Sequence, residues 1–181
     1  QAGRYLPEFR KIRSLNQNFI NLCLNSQLSS EITLQPIKRF NLDSAIIFSD
    51  ILMVPYALNQ KVEFVKDEGP KLEKFNIEKF TNNDASSFTE KLNPVYKAIE
   101  ITRKNLNKEK SIISFIGAPW TLLVYMIGAK LNKNEINFQL IKEKKIEVNM
   151  ILDKLNNYLC LHIENQIKAG ADVVQIFDSW A

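Results

Sequence analysis

Three short apolar runs, separated by long helical patterns, place the tightest limit on what this chain can fold into. They are SAIIFS (44–49), IISFI (112–116) and DVVQIF (172–177). Each is rich in β-branched and aromatic residues and nearly continuous, the pattern of strands covered on both faces. Between the first two, Asp84 or Ser86 can start a helix to about Asn107, with Phe88, Leu92, Val95, Ile99 and Leu106 on one side. Between the last two, TLLVYMIGAKL and the stretches 134–147 and 149–168 read as helices. Gly170 fits the left-handed position that stops the last of them. Strand, helix, strand, helix, strand predicts an α/β fold with a parallel sheet and crossover helices.

The first forty residues read as helices and turns. Pro7 suits the first turn of PEFRKIRSL, and NFINLCLN makes a second helix ending near Asn25. Ser29 and Ser30 can cap EITLQPIKRF, which should bend at Pro36. VEFV (62–65) reads as an outer strand and DEGPKLEKF as a turn-rich surface stretch.

Composition removes several classes. With 45% apolar and 24% charged residues in 181, the chain can bury a core and is not a disordered, collagenous or disulfide-scaffold sequence. No segment approaches the ~18 uncharged apolar residues of a membrane span, and QAGRYLPEFR holds no apolar run that would mark a signal peptide. The net charge is +4, but the 19 lysines are spread along the chain among Glu and Asn. They read as solvated helix faces, not as a nucleic-acid footprint. Three of the five arginines, Arg4, Arg10 and Arg13, fall in the first thirteen residues. Cys23 and Cys160 sit in apolar helical patterns and are expected to be buried free thiols. The single histidine, His162, lies inside a helix, so zinc sites and Ser-His-Asp or Cys-His mechanisms have little to work with. None of the five glycines forms a dinucleotide or P-loop fingerprint.

In parallel α/β folds, sites form at the carboxyl ends of strands. The three runs end at Ser49-Asp50, Gly117-Ala118-Pro119-Trp120 and Asp178-Ser179-Trp180. Asp50, Tyr125, Asp178 and Ser179 can therefore converge on one mouth. A plain helix-capping role stays open for Ser179. For Asp50 it is weaker, because ILMVPYAL is a poor helix to cap. QAGRYLP reads as a shaped turn holding Arg4, a residue suited to clamping a carboxylate or phosphate. The alternative is a surface arginine near the start of the chain.

Taken together, QAGRYLPEFR, TLQPIKRF, SAIIFSDIL, GAPWTLLVYM and QIFDSWA resemble the uroporphyrinogen decarboxylase family over residues 1–181. The resemblance implies a (β/α)8 TIM barrel, here an N-terminal partial barrel with leading helices. Residues 1–181 then form one domain, with 1–43 a helical lead-in carrying an arginine loop and 44–181 the first barrel strands and helices. It implies a cytoplasmic homodimer that needs no metal or cofactor, and the charge and hydropathy patterns add that it binds neither nucleic acid nor membrane. It also implies a tetrapyrrole substrate, uroporphyrinogen, whose four acetate groups are decarboxylated to methyls. Gln1, Ala2, Gly3 and Arg4 then belong to the substrate-binding loop. Asp50 meets the pyrrole N–H groups, and Tyr125 and Ser179 are further substrate contacts. Asp50 and Arg4 are the residues expected to carry the chemistry.

The family has a further arginine just before QAGR and a histidine in a C-terminal half, neither of which this sequence shows. A complete barrel takes about 250 residues. The chain is therefore expected to be the N-terminal half of an enzyme, inactive alone, with an open sheet edge. Two other readings remain: a methyltransferase of the same barrel superfamily, disfavoured by QAGRYLP, and a non-catalytic tetrapyrrole-binding half-barrel.

Overall fold

The computed structural model describes residues 2–48, 50–65, 68–132 and 135–180, with only the backbone of Ala2. A 3-10 turn, Ala2–Tyr5, precedes α1 (Pro7–Leu15), α2 (Phe19–Cys23) and α3 (Ser26–Phe40). Then come β1 (Ser44–Ile46), α4 (Met53–Ala57), β2 (Val62–Val65), β3 (Gly69–Leu72), α5 (Ile77–Thr81) and α6 (Ala85–Asn105). The chain continues through β4 (Ser111–Gly117), α7 (Pro119–Met126), α8 (Phe138–Glu143), α9 (Lys145–Lys168) and β5 (Val173–Phe177).

The sheet order is β1-β4-β5, parallel throughout, with Ile46 opposite Ile113 and Ile113 opposite Val173. The crossovers carry helices, so the architecture is the α/β partial barrel expected. Ile112, Ser114 and Ile116 of β4 are buried, whereas Ile113 and Phe115 between them are only half-buried. On β5, Val173, Ile176 and Phe177 remain between 45% and 51% exposed. The expectation that both faces are covered thus fails. Helices cover one face of the sheet, while the other face and the outer edge of β5 stand open.

Local chemistry explains several boundaries. Asp84 accepts the Ser87 N–H and starts α6, one of the two starts expected. Ser29 and Ser30 do not cap α3. Asn25 does, accepting the Leu28 N–H at 3.0 Å, and both serines lie buried within the helix. Gly170, at φ +109°, turns the chain out of α9 as expected. The helix break expected at 147–149 falls instead at Lys144, so α9 runs unbroken for 24 residues. GPKL, expected in a surface turn, pairs antiparallel with VEFV from Val62↔Leu72 to Val65↔Gly69. Pro70 is tolerated because this hairpin is a two-stranded sheet of its own.

The first strand is shorter than the apolar run. Its ladder stops at Ile46, although the Ile47 N–H still reaches Ile113 O at 3.0 Å. The next amide is taken by a helix: Phe48 N–H donates to Thr33 Oγ1 at 2.8 Å, and that hydroxyl donates to Ser29 O at 2.7 Å. Thr33 is 1% exposed, so no water can replace it. Thr33→Val keeps the shape and strands a buried N–H, and is expected to cost about 1–3 kcal/mol. A denaturant midpoint shift worth under ~0.5 kcal/mol would show that Phe48 N–H finds another acceptor.

Candidate functional site

Asp50 and Arg4 are brought together from opposite ends of the helical lead-in. The 3-10 turn presents Arg4, and Gly3 seats that turn on α3. A Cβ at Gly3 would stand 3.0 Å from Pro36 Cγ and 3.9 Å from Ile32 O. Pro36 has no N–H to give the Ile32 carbonyl, and Leu6 N–H closes the turn on Gly3 O at 3.1 Å. The shaped turn read from QAGRYLP is therefore real. Arg4 Nη2 lies 3.8 Å from Asp50 Oδ2, and its guanidinium sits 5.5 Å from the centroid of the Phe19 ring. Arg13 stacks on the same ring at the same distance and donates to the Asn16 and Gln17 carbonyls.

Asp50 uses its other oxygen locally. Oδ1 accepts the Leu52 N–H at 3.1 Å, an Asx turn leading to the short α4. This bond closes the turn before the helix and does not cap it: Leu52 holds the N-cap position with no side-chain cap, so the capping role stays the weaker reading for Asp50. Burial pushes the Asp50 carboxyl above its ordinary pKa, while the Leu52 N–H and then Arg4 pull it back. Cys23 is fully buried close by, its thiol pushed well up by burial and then by the Asp50 charge. Cys160, expected to be buried, is exposed on the outer side of α9.

A second group gathers at the carboxyl ends of β4 and β5. The Thr121 hydroxyl donates to Asp178 Oδ1 at 2.8 Å and accepts the Ser179 N–H at 2.9 Å. Trp120 Nε1 donates to Trp180 O at 2.8 Å. Tyr125, near the end of α7, meets Trp180 edge-on with centroids 6.3 Å apart. Ser179 is exposed and Tyr125 half-buried, and neither hydroxyl has a hydrogen-bond partner among the described residues. Thr121 escaped sequence reading, although the one aliphatic hydroxyl in the apolar helix PWTLLVYM was a usable signal. Thr121→Val is expected to lower stability by about 1 kcal/mol and to speed hydrogen exchange at the Ser179 amide. Unchanged exchange there would show that Thr121 does not hold the Ser179 strand end.

The register relates the two groups. Ile46, Ile113 and Val173 are level across the ladder, and four residues further on lie Asp50, Gly117 and Phe177. Parallel neighbours are about 4.8 Å apart, so the ends of β1 and β5 lie roughly 10 Å from one another. A Cβ at Gly117 would lie 3.2 Å from Ile51 Cβ and 2.9 Å from Leu122 Cδ2, which shows how closely the β1 end packs on α7. Of the expected site residues, the structure pairs Arg4 with Asp50 and sets Tyr125 near Ser179 through Trp180 and Thr121. No hydrogen bond, ion pair or ring contact joins the two groups among the described residues. Gln1 lies outside the described residues, as does the Ala2 side chain.

His162 belongs to neither group. Its Nδ1 is 3.0 Å from the Tyr96 hydroxyl, and complete burial pulls its pKa down to about 3. It is a neutral core residue. Among the described residues no three His, Cys, Asp or Glu side chains gather as metal ligands, and no helix is long and apolar enough to cross a membrane.

The family model described as "Uroporphyrinogen decarboxylase (URO-D)" matches residues 1–181. A uroporphyrinogen decarboxylase of Orientia tsutsugamushi is 45% identical over 188 aligned residues, covering all of this chain and 53% of that protein. One from Campylobacter jejuni is 42% identical, with 54% of its length covered, and one from Agrobacterium fabrum is 42% identical, with 53% covered. The chain thus spans about half the length of the curated relatives it matches. Among solved structures, a methyltransferase from Methanosarcina mazei superposes with a TM-score of 0.72 over 92% of this chain and 50% of that one. At 15% identity this likeness concerns the fold alone.

Proposed function

The chain belongs to the uroporphyrinogen decarboxylase family, and from that premise we propose that its protein removes the four acetate carboxyls of uroporphyrinogen III to give coproporphyrinogen III. Asp50 carries the reading: a half-buried carboxylate at a strand end, one oxygen held by Leu52 N–H, the other facing Arg4.

The chemistry asks for such a group. Protonation of a pyrrole ring carbon makes the ring an electron sink. The bond between the acetate methylene and its carboxylate then breaks, CO2 leaves, and the electron pair enters the ring. The exocyclic methylene takes up a proton to become a methyl as the ring carbon returns one. The ring itself serves as the sink, so the reaction calls on no cofactor. Asp50, an acceptor-only group, takes hydrogen bonds from several pyrrole N–H groups and stabilises the cationic ring by fixed charge. Arg4 offers a guanidinium fork to a substrate carboxylate. Arginine stays protonated, so its role is binding and orientation. Gln1, Ala2 and Gly3 complete the arginine loop. Tyr125 and Ser179, whose hydroxyls have no hydrogen-bond partner among the described residues, donate to further carboxylates.

Residues 1–181 form the N-terminal part of one barrel domain, and the complete protein works as a cytoplasmic homodimer; the family resemblance supports both. A methyltransferase reading has only the shared fold behind it. The test is anaerobic incubation of the full-length protein with uroporphyrinogen III, followed by separation of products by carboxyl number. Stepwise loss from eight carboxyls to four is expected. An untouched octacarboxylate would overturn the proposal.

A further inference from the structure

Beside Tyr125 lies a cavity of about 350 Å³, lined among others by Pro70, Glu73, Lys74, Phe75 and Lys130. From it we infer, resting on the decarboxylase reading, a carboxylate subsite in which Lys130 grips one carboxylate arm of the tetrapyrrole. Three observations support it.

The first is how the ammonium is held. Lys130 Nζ lies 5.2 Å from the Tyr125 ring centroid and 5.9 Å from that of Trp180, between two rings that meet edge to face. Its backbone is fixed too, by an antiparallel bridge to Ile136 and by Asn137 N–H donating to Ala129 O at 2.7 Å. A half-buried lysine on a braced segment, cradled by aromatic faces, is an ordered point charge.

The second is the charge balance. No carboxylate pairs with Lys130 or Lys74 among the described residues. Among the described residues, Glu73 is the carboxylate on the cavity wall, and it is already engaged: it lies 3.6 Å from Lys79 Nζ and accepts the Lys61 N–H at 3.2 Å. Two cations with no carboxylate partner among the described residues face one committed anion, so the cavity calls for a negative ligand. The third is the lining. Pro70, Phe75 and the Tyr125 ring are apolar, and the Tyr125 hydroxyl has no hydrogen-bond partner among the described residues. Walls that mix apolar side chains with ammonium groups suit an alkyl arm ending in a carboxylate, better than they suit a fully hydrated inorganic anion. Tyr125 then serves twice, with its hydroxyl toward substrate and its ring beneath the lysine.

The test compares Lys130→Gln with the unaltered full-length protein. Loss of one charge-assisted contact is expected to raise the KM for uroporphyrinogen about tenfold, with kcat within about twofold. Lys130→Arg should recover most of the loss, and the KM of the Gln variant should depend less on ionic strength. An unchanged KM overturns the inference. So does a fall in kcat and melting temperature without a change in KM, since that marks a brace for Tyr125. A titration of tryptophan fluorescence with uroporphyrinogen reads the same comparison as a Kd, whether or not turnover occurs. Equal Kd values sink the subsite. Absence of turnover by the unaltered protein counts against the decarboxylase reading instead.

Discussion

In the full-length protein, Asp50→Asn is expected to cut kcat on uroporphyrinogen by about 10²- to 10³-fold without lowering the melting temperature at pH 7. The amide keeps the shape and can still accept the Leu52 N–H. What it removes is the fixed negative charge facing a ring that becomes cationic as carbon–carbon cleavage proceeds. The stability half of the prediction follows from the carboxyl's raised pKa, whose first cause is burial. Ionised Asp50 is worse accommodated in the folded chain than in the unfolded one. That cost sets in above the ordinary aspartate pKa of about 3.9 and grows until the pH passes the raised folded value. The Asn variant should therefore equal or exceed the parent in melting temperature at pH 7, and lose that advantage near pH 3. A variant that keeps its kcat would remove Asp50 from the chemistry. One that melts early at pH 7 would show that the carboxylate is part of the scaffold.

Arg4→Ala should act mainly on binding. A charge-assisted hydrogen bond to a carboxylate is worth about 1.5–3 kcal/mol, so KM is expected to rise about 10- to 10²-fold. Arg4→Lys should restore only part of this, because an ammonium lacks the planar fork. Stability should change by no more than ~0.5 kcal/mol, since the Arg4–Asp50 pair is 3.8 Å long and its arginine 43% exposed. A pH effect accompanies the loss. Arg4 is one of the groups pulling the Asp50 carboxyl down, so its removal lets that pKa climb further. The acid limb of kcat/KM should then move to higher pH. A limb that stays in place while KM rises would separate Arg4 from Asp50 electrostatically. An unchanged KM would reduce Arg4 to a surface residue.

The parts of this fold legible in the sequence are those decided by near neighbours. IISFI and DVVQIF announce β4 and β5 by continuous apolar character, and Asp84 announces α6 through a contact three residues away. What stayed hidden depends on partners far along the chain. Nothing near Phe48 says that its amide will leave the ladder for Thr33, nor near Ser179 that it will reach Thr121. The strand character of GPKL was masked by Gly69 and Pro70, whose turn-forming preference gives way to pairing with VEFV. At the site, residue identities came from the family resemblance and the strand-end rule. The meeting of Arg4 with Asp50, and the setting of Lys130 between Tyr125 and Trp180, exist only in three dimensions.

The seat of Gly3 against Pro36 also bears on how fast and how tightly a ligand can be taken up. A loop that ordered only around its ligand would charge the loss of its conformational entropy to binding, at about 1–2 kcal/mol per residue fixed. Here the proline notch in α3 and the Leu6–Gly3 hydrogen bond fix the turn beforehand. The entropy is surrendered once, during folding, and the guanidinium waits already aimed. Recognition by this loop then approaches a rigid-body encounter, with association limited by diffusion and steering, not by loop closure.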